Sequence, residues 1–151
     1  MQVQGAVVRN LLLGLLSAWA LSAAGEGDSI GQVKVARGTV SVDRNGQALP
    51  AAVGMRLQSA DVLKTGADGA VGVTMRDDSL LSAGPNSILA LQRFEYDGAT
   101  QQGHFDARLQ RGTLAVISGR IAKQSPTAMT VATPSAVLGV RGTHFVVSAD
   151  E

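Results

Sequence analysis

The sequence contains no cysteine and only two histidines, His104 and His144. Without cysteine the chain can form no disulfide, offers no thiolate to a metal and has no site for a lipid on an N-terminal cysteine. A zinc site needs three or four ligands in fixed geometry, and two histidines that are far apart in the sequence do not indicate such a site. We therefore expect no metal and no cofactor, and a fold that is stabilised by packing and strand pairing alone.

Aromatic residues and net charge are also scarce. Apart from Trp19, the aromatic residues are Phe94, Tyr96, Phe105 and Phe145. Thirteen basic residues stand against twelve acidic ones, and the two signs are interspersed. The sequence therefore predicts no basic surface for nucleic acid or anionic lipid. It also offers few of the aromatic platforms on which sugars or bases stack.

The first 24 residues have the order of a secretory signal peptide: a basic start, an apolar middle and a small-residue cleavage site. Arg9 is their only charge, and the apolar run and small residues from Leu11 to Ala24 cover 14 positions. A bilayer requires roughly 20 apolar residues, so this run is short for a membrane anchor. We expect cleavage after Ala24, or alternatively after Ala20. The protein would then be exported to the periplasm or the extracellular space and keep no membrane span.

The rest of the chain has the pattern of an all-β protein. Apolar residues alternate in short segments, most clearly over residues 70–76, and turn signals separate the segments. Asn45-Gly46 predicts a two-residue hairpin turn in which both residues have positive φ. Gln110-Arg111-Gly112 predicts a further turn, which would separate two strands. We predict a short flexible lead at residues 25–30 and a single domain at residues 31–148. Its many short, mainly antiparallel strands would form a twisted β-sandwich or a solenoid-like fold.

Candidate catalytic groups are weak. The segment Asp77-Asp78-Ser79 has the composition of a turn, in which Asp and Ser bond to their own backbone, and lacks the further ligands of a calcium loop. A hydrolase with two carboxylates that meet only in space would need residues such as Asp77 and Asp78. The chain has neither a Gly-x-Ser-x-Gly elbow nor a phosphate-binding glycine motif. We therefore expect that the protein is not an enzyme.

The stretch from Thr133 to Val147 joins a Thr-Pro stop, a glycine-rich turn and a closing strand. Pro134 has no backbone donor and favours an extended residue before it. Gly139 and Gly142 bracket Val140-Arg141, where they predict a bend or a close approach of backbones. Arg141 could be a structural donor to carbonyls or carboxylates, or it could bind an anionic ligand.

This stretch resembles the signature end of the FecR domain family, through Thr133, Pro134, Gly139, Val140, Arg141, Gly142, Thr143 and Phe145. Earlier segments of the sequence are similar to segments of the family and occur in the same order, so the resemblance covers roughly residues 31–147. These segments include residues 38–42, 54, 61–66, 71–79, 85–91 and 109–114. The resemblance implies that these residues are structural. Two positions depart from the pattern, since Ala60 and Asp78 stand where the family usually has glycine.

The resemblance implies a role in signalling, but the layout differs from that of signalling FecR proteins. Those proteins have a cytoplasmic segment for a sigma factor and a membrane helix, where this chain has a predicted signal peptide. We therefore expect no direct contact with a sigma factor. The first functional hypothesis is a non-catalytic protein-interaction or signalling-accessory module. It would present a strand edge or a loop face to an unidentified periplasmic or envelope protein.

The alternative hypothesis is a sensor that binds a ligand or an envelope carbohydrate. Loops 95–104 and 119–126 would form the mouth of its site. Arg120, Lys123 or Arg141 would then meet an anionic group on the ligand. A pocket lined by these residues would favour this hypothesis, whereas the scarcity of aromatic residues counts against it.

Overall fold

The computed structural model describes residues 28–142 and 144–150, so the predicted signal peptide at residues 1–24 lies outside the described residues. The described part contains strands and one short helix, α1 (Arg120–Gln124). In chain order the strands are β1 (Gly31–Arg37), β2 (Val40–Arg44), β3 (Gln47–Pro50), β4 (Arg56–Leu57), β5 (Val62–Thr65), β6 (Ala70–Met75), β7 (Leu80–Ala83), β8 (Ile88–Tyr96), β9 (Gly103–Ile117), β10 (Met129–Ala132), β11 (Val137–Gly139) and β12 (His144–Ala149). Within the described ranges, no helix is both long enough and apolar enough to span a membrane.

The strands form one curled sheet with two halves that meet at β9. The first half runs β3-β2-β5-β8-β9, and β10 and β11 follow on the other side of β9. The second half runs β4-β1-β6-β7-β9, with β12 on the other side of β9. All of these pairs are antiparallel except β9 with β10. The prediction of an all-β fold of many short, mainly antiparallel strands is confirmed.

Strand β9 is continuous over 15 residues, although the sequence pattern had predicted two strands separated by a turn at residues 110–112. That prediction is wrong. Gly112 makes a corner inside the strand, with a φ of +97°, and a Cβ at this position would lie 2.1 Å from Ser87 Oγ. The strand continues through the corner because β8 and β10 pair with its first part and β7 and β12 with its last part.

Two hydroxyl side chains, those of Ser87 and Thr65, stabilise this corner. Ser87 Oγ accepts a hydrogen bond from the backbone N–H of Thr113 at 3.0 Å. Thr65 Oγ1 accepts one from the N–H of Ser87 at 2.9 Å and donates to the carbonyl of Gly84 at 2.6 Å. Buried polar groups are stable only when they are bonded in this way. The corner therefore ties together β5, β9 and the turn between β7 and β8.

The core lies between the two sheet halves and is filled mainly by aliphatic side chains. Residues 70–75 alternate between half-buried and buried positions, as their apolar alternation predicted. Phe94 and Phe105 pack edge to face, with ring centroids 5.2 Å apart. Ile30, which was predicted to belong to the flexible lead, is also buried, and its N–H donates to the carbonyl of Leu57 at 2.9 Å.

The two positions at which the sequence departs from the pattern that it resembles both lie in turns. Ala60 has a φ of +71° and Asp78 a φ of +68°. Both positions thus require the left-handed backbone conformation that favours glycine. Asn45 and Gly46 have φ values of +53° and +78°, which confirms the predicted hairpin turn between β2 and β3.

Candidate functional site

The C-terminal segment links the last strand of one sheet half to the last strand of the other. After β10 the chain turns back at residues 133–136, where Thr133 N–H donates to the carbonyl of Ala136 at 2.7 Å and Ala136 N–H donates to Thr133 Oγ1 at 3.1 Å. Strand β11 then returns along β10, and β12 lies against β9. Pro134 is exposed within this turn.

The glycines between β11 and β12 have different surroundings. Gly142 has a φ of +48°, which requires the left-handed region, whereas Gly139 does not lie there and a Cβ on it would meet only the carbonyl of Pro126 at 3.9 Å. Val140 is buried, and its N–H donates to the carbonyl of Met129 at 3.0 Å. The bend is therefore formed by Gly142 and fixed to the core by Val140. Thr143 lies outside the described residues.

Arg141 is exposed beside a shallow cleft. The cleft has a volume of about 320 Å³ and is lined by Leu138, Gly139, Val140, Arg141, Phe145 and Val146. Within the part of the chain that the structure describes, no hydrogen bond or ion pair engages the guanidinium of Arg141. Of the two roles considered from the sequence, that of a structural donor therefore has no contact to support it among these residues.

The cleft is flanked by strands that are each paired on one side only. Strand β11 pairs with β10 and β12 pairs with β9, and no other described strand covers their outer sides. Val137 on β11 is 72% exposed and Val146 on β12 is 67% exposed. We call β11, β12 and the cleft between them the C-terminal surface. It combines free backbone donors and acceptors with apolar side chains and one cation.

Loops 95–104 and 119–126, which the sequence suggested as the mouth of a ligand site, do lie side by side. A cleft of about 300 Å³ is lined by residues of both loops, among them Gln102, His104, Gln124 and Ser125. Gln124 Nε2 donates to Gln101 Oε1 at 3.4 Å, which links the two loops.

None of the three cations suggested as alternatives for this ligand site lines the cleft between the two loops. Arg120 forms an ion pair with Asp78, with Arg120 Nε 3.1 Å from Asp78 Oδ2. Lys123 lies beside His144 in another small cleft, and Arg141 belongs to the C-terminal surface. The two loops therefore border a cleft, but none of the cations suggested for an anionic ligand lines it.

The segment 119–126 was predicted as a polar loop, but it contains helix α1, with Ile121 and Ala122 buried. The helix is held by the turn that contains Asp77. Asp77 Oδ2 accepts hydrogen bonds from Ser79 Oγ at 2.8 Å and from the N–H of Ile121 at 3.2 Å, and Ser79 Oγ accepts one from the N–H of Gly119 at 2.9 Å. The pair Ile121-Ala122 inside a polar segment was the one local sign of a buried turn.

A second buried carboxylate, that of Asp61, also has a structural role. The side chain of Asp61 is 1% exposed, and its two oxygens accept hydrogen bonds from Arg44 Nε at 2.9 Å and Nη2 at 2.7 Å. The hydrogen bond to Asp61 raises the pKa of Arg44 above its usual range. Asp61 Oδ2 also accepts a hydrogen bond from the N–H of Gln58 at 2.8 Å. This pair ties β2 to the turn before β5.

Comparison with protein families identifies a matching family. A protein-family model described as FecR protein matches residues 61–151. The matched region begins at Asp61, contains β5 to β12 and therefore includes the whole C-terminal surface. No curated protein and no solved structure matches the chain.

Proposed function

The chain belongs to the FecR protein family, and we propose that it is an accessory domain in signalling. The domain would be exported and non-catalytic, and it would act by binding another protein. The observation that carries the proposal is the position of the family-signature residues. Of these residues, Gly139, Val140, Arg141 and Phe145 line the cleft of the C-terminal surface, where two strand edges are open. The partner would be a protein of the bacterial periplasm or envelope, and the domain would not contact a sigma factor directly.

The mode of binding that this surface favours is strand addition. An extended segment that joins an open edge gains main-chain hydrogen bonds, and its alternate side chains find specificity in neighbouring pockets. Val137 and Val146 offer apolar contacts beside such a strand. Arg141 at the rim of the cleft adds a charge, and charges at an interface contribute mainly to specificity and to the rate of association.

The non-catalytic part of the proposal is supported by the roles of the buried carboxylates. Asp77 bonds to Ser79 and the start of α1, and Asp61 bonds to Arg44. Each therefore has a structural partner that accounts for its burial. Export is supported by the signal-peptide pattern of residues 1–24.

The proposal can be tested with a photo-cross-linking amino acid placed at Val137 in the full chain, expressed in its own cells. The matched control is the same group at Val53, which is 66% exposed in a loop away from the C-terminal surface. We expect a discrete cross-linked envelope protein from position 137 and none from position 53. The purified partner should then slow hydrogen exchange of the β11 amides. Equal labelling from both positions, or a partner that leaves β11 exchange unchanged, would contradict the proposal.

A second candidate is a sensor for an envelope carbohydrate, which the cleft between loops 95–104 and 119–126 favours. Its test is a titration of the labelled protein with envelope oligosaccharides, followed by amide chemical shifts. Saturable shifts at Gln102, His104 and Gln124 would support the sensor. An absence of shifts in both loops at millimolar sugar would rule it out in favour of protein binding.

A further inference from the structure

We propose that the cleft between α1 and the start of β12 binds a phosphate group, either as inorganic phosphate or as a small phosphate monoester. This α1–β12 cleft has a volume of about 240 Å³ and is lined by Ile117, Ser118, Lys123, Gly142 and His144. The inference goes beyond the proposed function and does not depend on it, because the site would hold a small ligand and not a protein. It is carried by the charge of the cleft, by a buried hydroxyl without a partner and by the placement of three donors.

The α1–β12 cleft carries a positive charge that no described acid neutralises. None of its lining residues is acidic. Among the described residues, no hydrogen bond or ion pair engages the side chain of Lys123 or that of His144. Asp78, an acid beside α1, is instead paired with Arg120. An anion in the cleft would therefore meet a cation without competition from a carboxylate.

Ser118 distinguishes this cleft from a surface that merely carries a lysine. The residue follows β9, is only 6% exposed and lines the cleft. Its hydroxyl forms no hydrogen bond with a described residue. A buried hydroxyl without a partner costs free energy, and such groups are almost always bonded to protein, water or a ligand.

The other buried polar residues in the described part of the chain show that Ser118 is an exception. Each of them forms a hydrogen bond through its side chain. They are Asp61, Thr65, Asp77, Ser79, Ser87 and Thr133. The hydroxyl of Ser118 is therefore available to donate to a group that is bound in the cleft.

The three donors of the cleft are held by three different elements. Ser118 follows the end of β9, Lys123 belongs to α1, and His144 begins β12. A Cβ on Gly142 would lie 3.9 Å from Lys123 Cγ, so the aliphatic part of Lys123 lies against the bend before β12. Helix α1 is itself fixed by its buried residues and by Asp77. Donors that are already in place reduce the cost of ordering on binding.

This set of donors suits a phosphate group better than a carboxylate. Lysine binds phosphate as a compact positive charge, and the serine hydroxyl and the histidine ring each provide a further donor. A tetrahedral anion presents oxygens to donors on three sides, whereas a carboxylate has only two oxygens in one plane. Ile117, which is 38% exposed at the cleft, offers an apolar contact for the organic part of a monoester.

The site can be tested by titrating the isotope-labelled exported protein with inorganic phosphate at constant ionic strength. We expect saturable amide shifts at Ser118, Lys123, Gly142 and His144, with a Kd of about 1 mM or below. Acetate should bind at least about tenfold more weakly. Glycerol 3-phosphate distinguishes the two sources of the phosphate group. If it binds more tightly than inorganic phosphate, the ligand is a monoester, whereas equal binding indicates that the phosphate group alone is recognised.

Variants assign the binding to the residues of the cleft. Lys123→Gln should weaken phosphate binding about tenfold or more, because it removes a hydrogen bond from a charged donor, and Lys123→Arg should retain most of the affinity. Lys34→Gln is the matched control, since Lys34 is also exposed but lies on β1 and does not line the cleft. It should bind phosphate as the wild type does.

Ser118→Ala gives a second readout that a purely structural hydroxyl would not give. It should weaken phosphate binding about three- to tenfold. Without phosphate it should melt at the wild-type temperature or above, because the hydroxyl it removes has no partner to lose. Phosphate should raise the Tm of the wild type by mass action and raise that of Lys123→Gln much less.

Several results would overturn the inference. Shifts that do not saturate, or acetate that binds as tightly as phosphate, would exclude a phosphate site. Equal affinities of Lys123→Gln and Lys34→Gln would place any binding outside the cleft. A lowered Tm of Ser118→Ala without phosphate would show that its hydroxyl already has a structural partner. The cross-linking test at Val137 is independent of all these outcomes, so the proposed function stands or fails separately.

Discussion

Ala60 occupies a backbone conformation that is unfavourable for any residue with a Cβ. Its φ of +71° lies in the left-handed region, which favours glycine. Its N–H donates to the carbonyl of Leu91 at 2.7 Å, so the turn cannot change its φ without losing a bond to β8. The side chain is exposed, and its removal would leave no cavity.

The substitution Ala60→Gly should therefore stabilise the domain. A residue other than glycine in the left-handed region costs roughly 1–2 kcal/mol, and the variant removes this cost. The greater freedom of glycine in the unfolded chain costs about 0.4–1 kcal/mol in return. At the midpoints of these ranges, the difference favours the variant by about 0.8 kcal/mol, which corresponds to a rise in Tm of about 2–4 °C for a domain of this size.

Urea and thermal unfolding, followed by circular dichroism, would measure this difference. Ala52→Gly is the matched control, because Ala52 is also exposed in a turn but does not have a positive φ. It should lose about 0.4–1 kcal/mol through the unfolded state alone. If Ala60→Gly is as destabilising as Ala52→Gly, the left-handed conformation at Ala60 carries no strain, and the reasoning from φ is refuted.

Three further predictions concern the turn after Val140, the buried ion pair and the pH dependence of stability. Gly142→Val should destabilise the domain by roughly 1–2 kcal/mol, because a β-branched residue does not fit a φ of +48°, as a shift in urea midpoint would show. Arg44→Met should cost about 2–4 kcal/mol in the same assay, since it leaves the Asp61 carboxylate buried without its cation. The hydrogen bond from Thr39 N–H lowers the pKa of Asp68 from its ordinary value of 3.8. The stabilisation from the Asp68 carboxylate should therefore be present above pH 3.8 and be lost as the pH falls through the lowered pKa. The free energies of unfolding of the wild type and of Asp68→Ala, measured against pH, should therefore converge in acid.

Matched variants separate these effects from general damage. Gly139→Ala should leave stability almost unchanged, since its new Cβ would meet only one carbonyl at an ordinary distance. Arg93→Met removes an exposed ion pair with Glu95 and should cost less than about 1 kcal/mol. If Arg44→Met costs no more than Arg93→Met, burial of Asp61 does not depend on its cation. If Gly142→Val is as stable as Gly139→Ala, the positive φ of Gly142 is not required.

Local patterns in the sequence predicted local structure well. The Asn45-Gly46 turn and the alternation over residues 70–75 depend on residues next to each other in the chain, and both predictions are confirmed. The turn expected at residues 110–112 failed because pairing with strands on both sides of β9 overrides the local signal at Gly112. Helix α1 was missed for a similar reason, since five residues are too few to show a helical period and its N-terminus is held by the distant Asp77.

The candidate surface was predictable only in part. The signature residues from Thr133 to Phe145 were recognised from the sequence, and the closing strand among them is present as β12. Which edges stay open could not be predicted, because that depends on the order of all strands in the sheet. The sequence suggested Arg120, Lys123 or Arg141 as the cation that meets an anionic ligand at the two loops. None of them lines the cleft there, and Arg120 forms an ion pair with Asp78, which is distant in sequence.

The shared strand β9 has a consequence for how the domain unfolds. Its first part completes one half of the sheet and its last part completes the other, so neither half possesses a full set of strands without it. Detachment of β9 from one half would distort the corner at Gly112 and expose the core of the other half. We therefore expect one cooperative transition, with coincident unfolding at Phe94 and Val73, although these residues lie in different halves. Slow hydrogen exchange should accordingly extend along the whole of β9 with a single opening free energy.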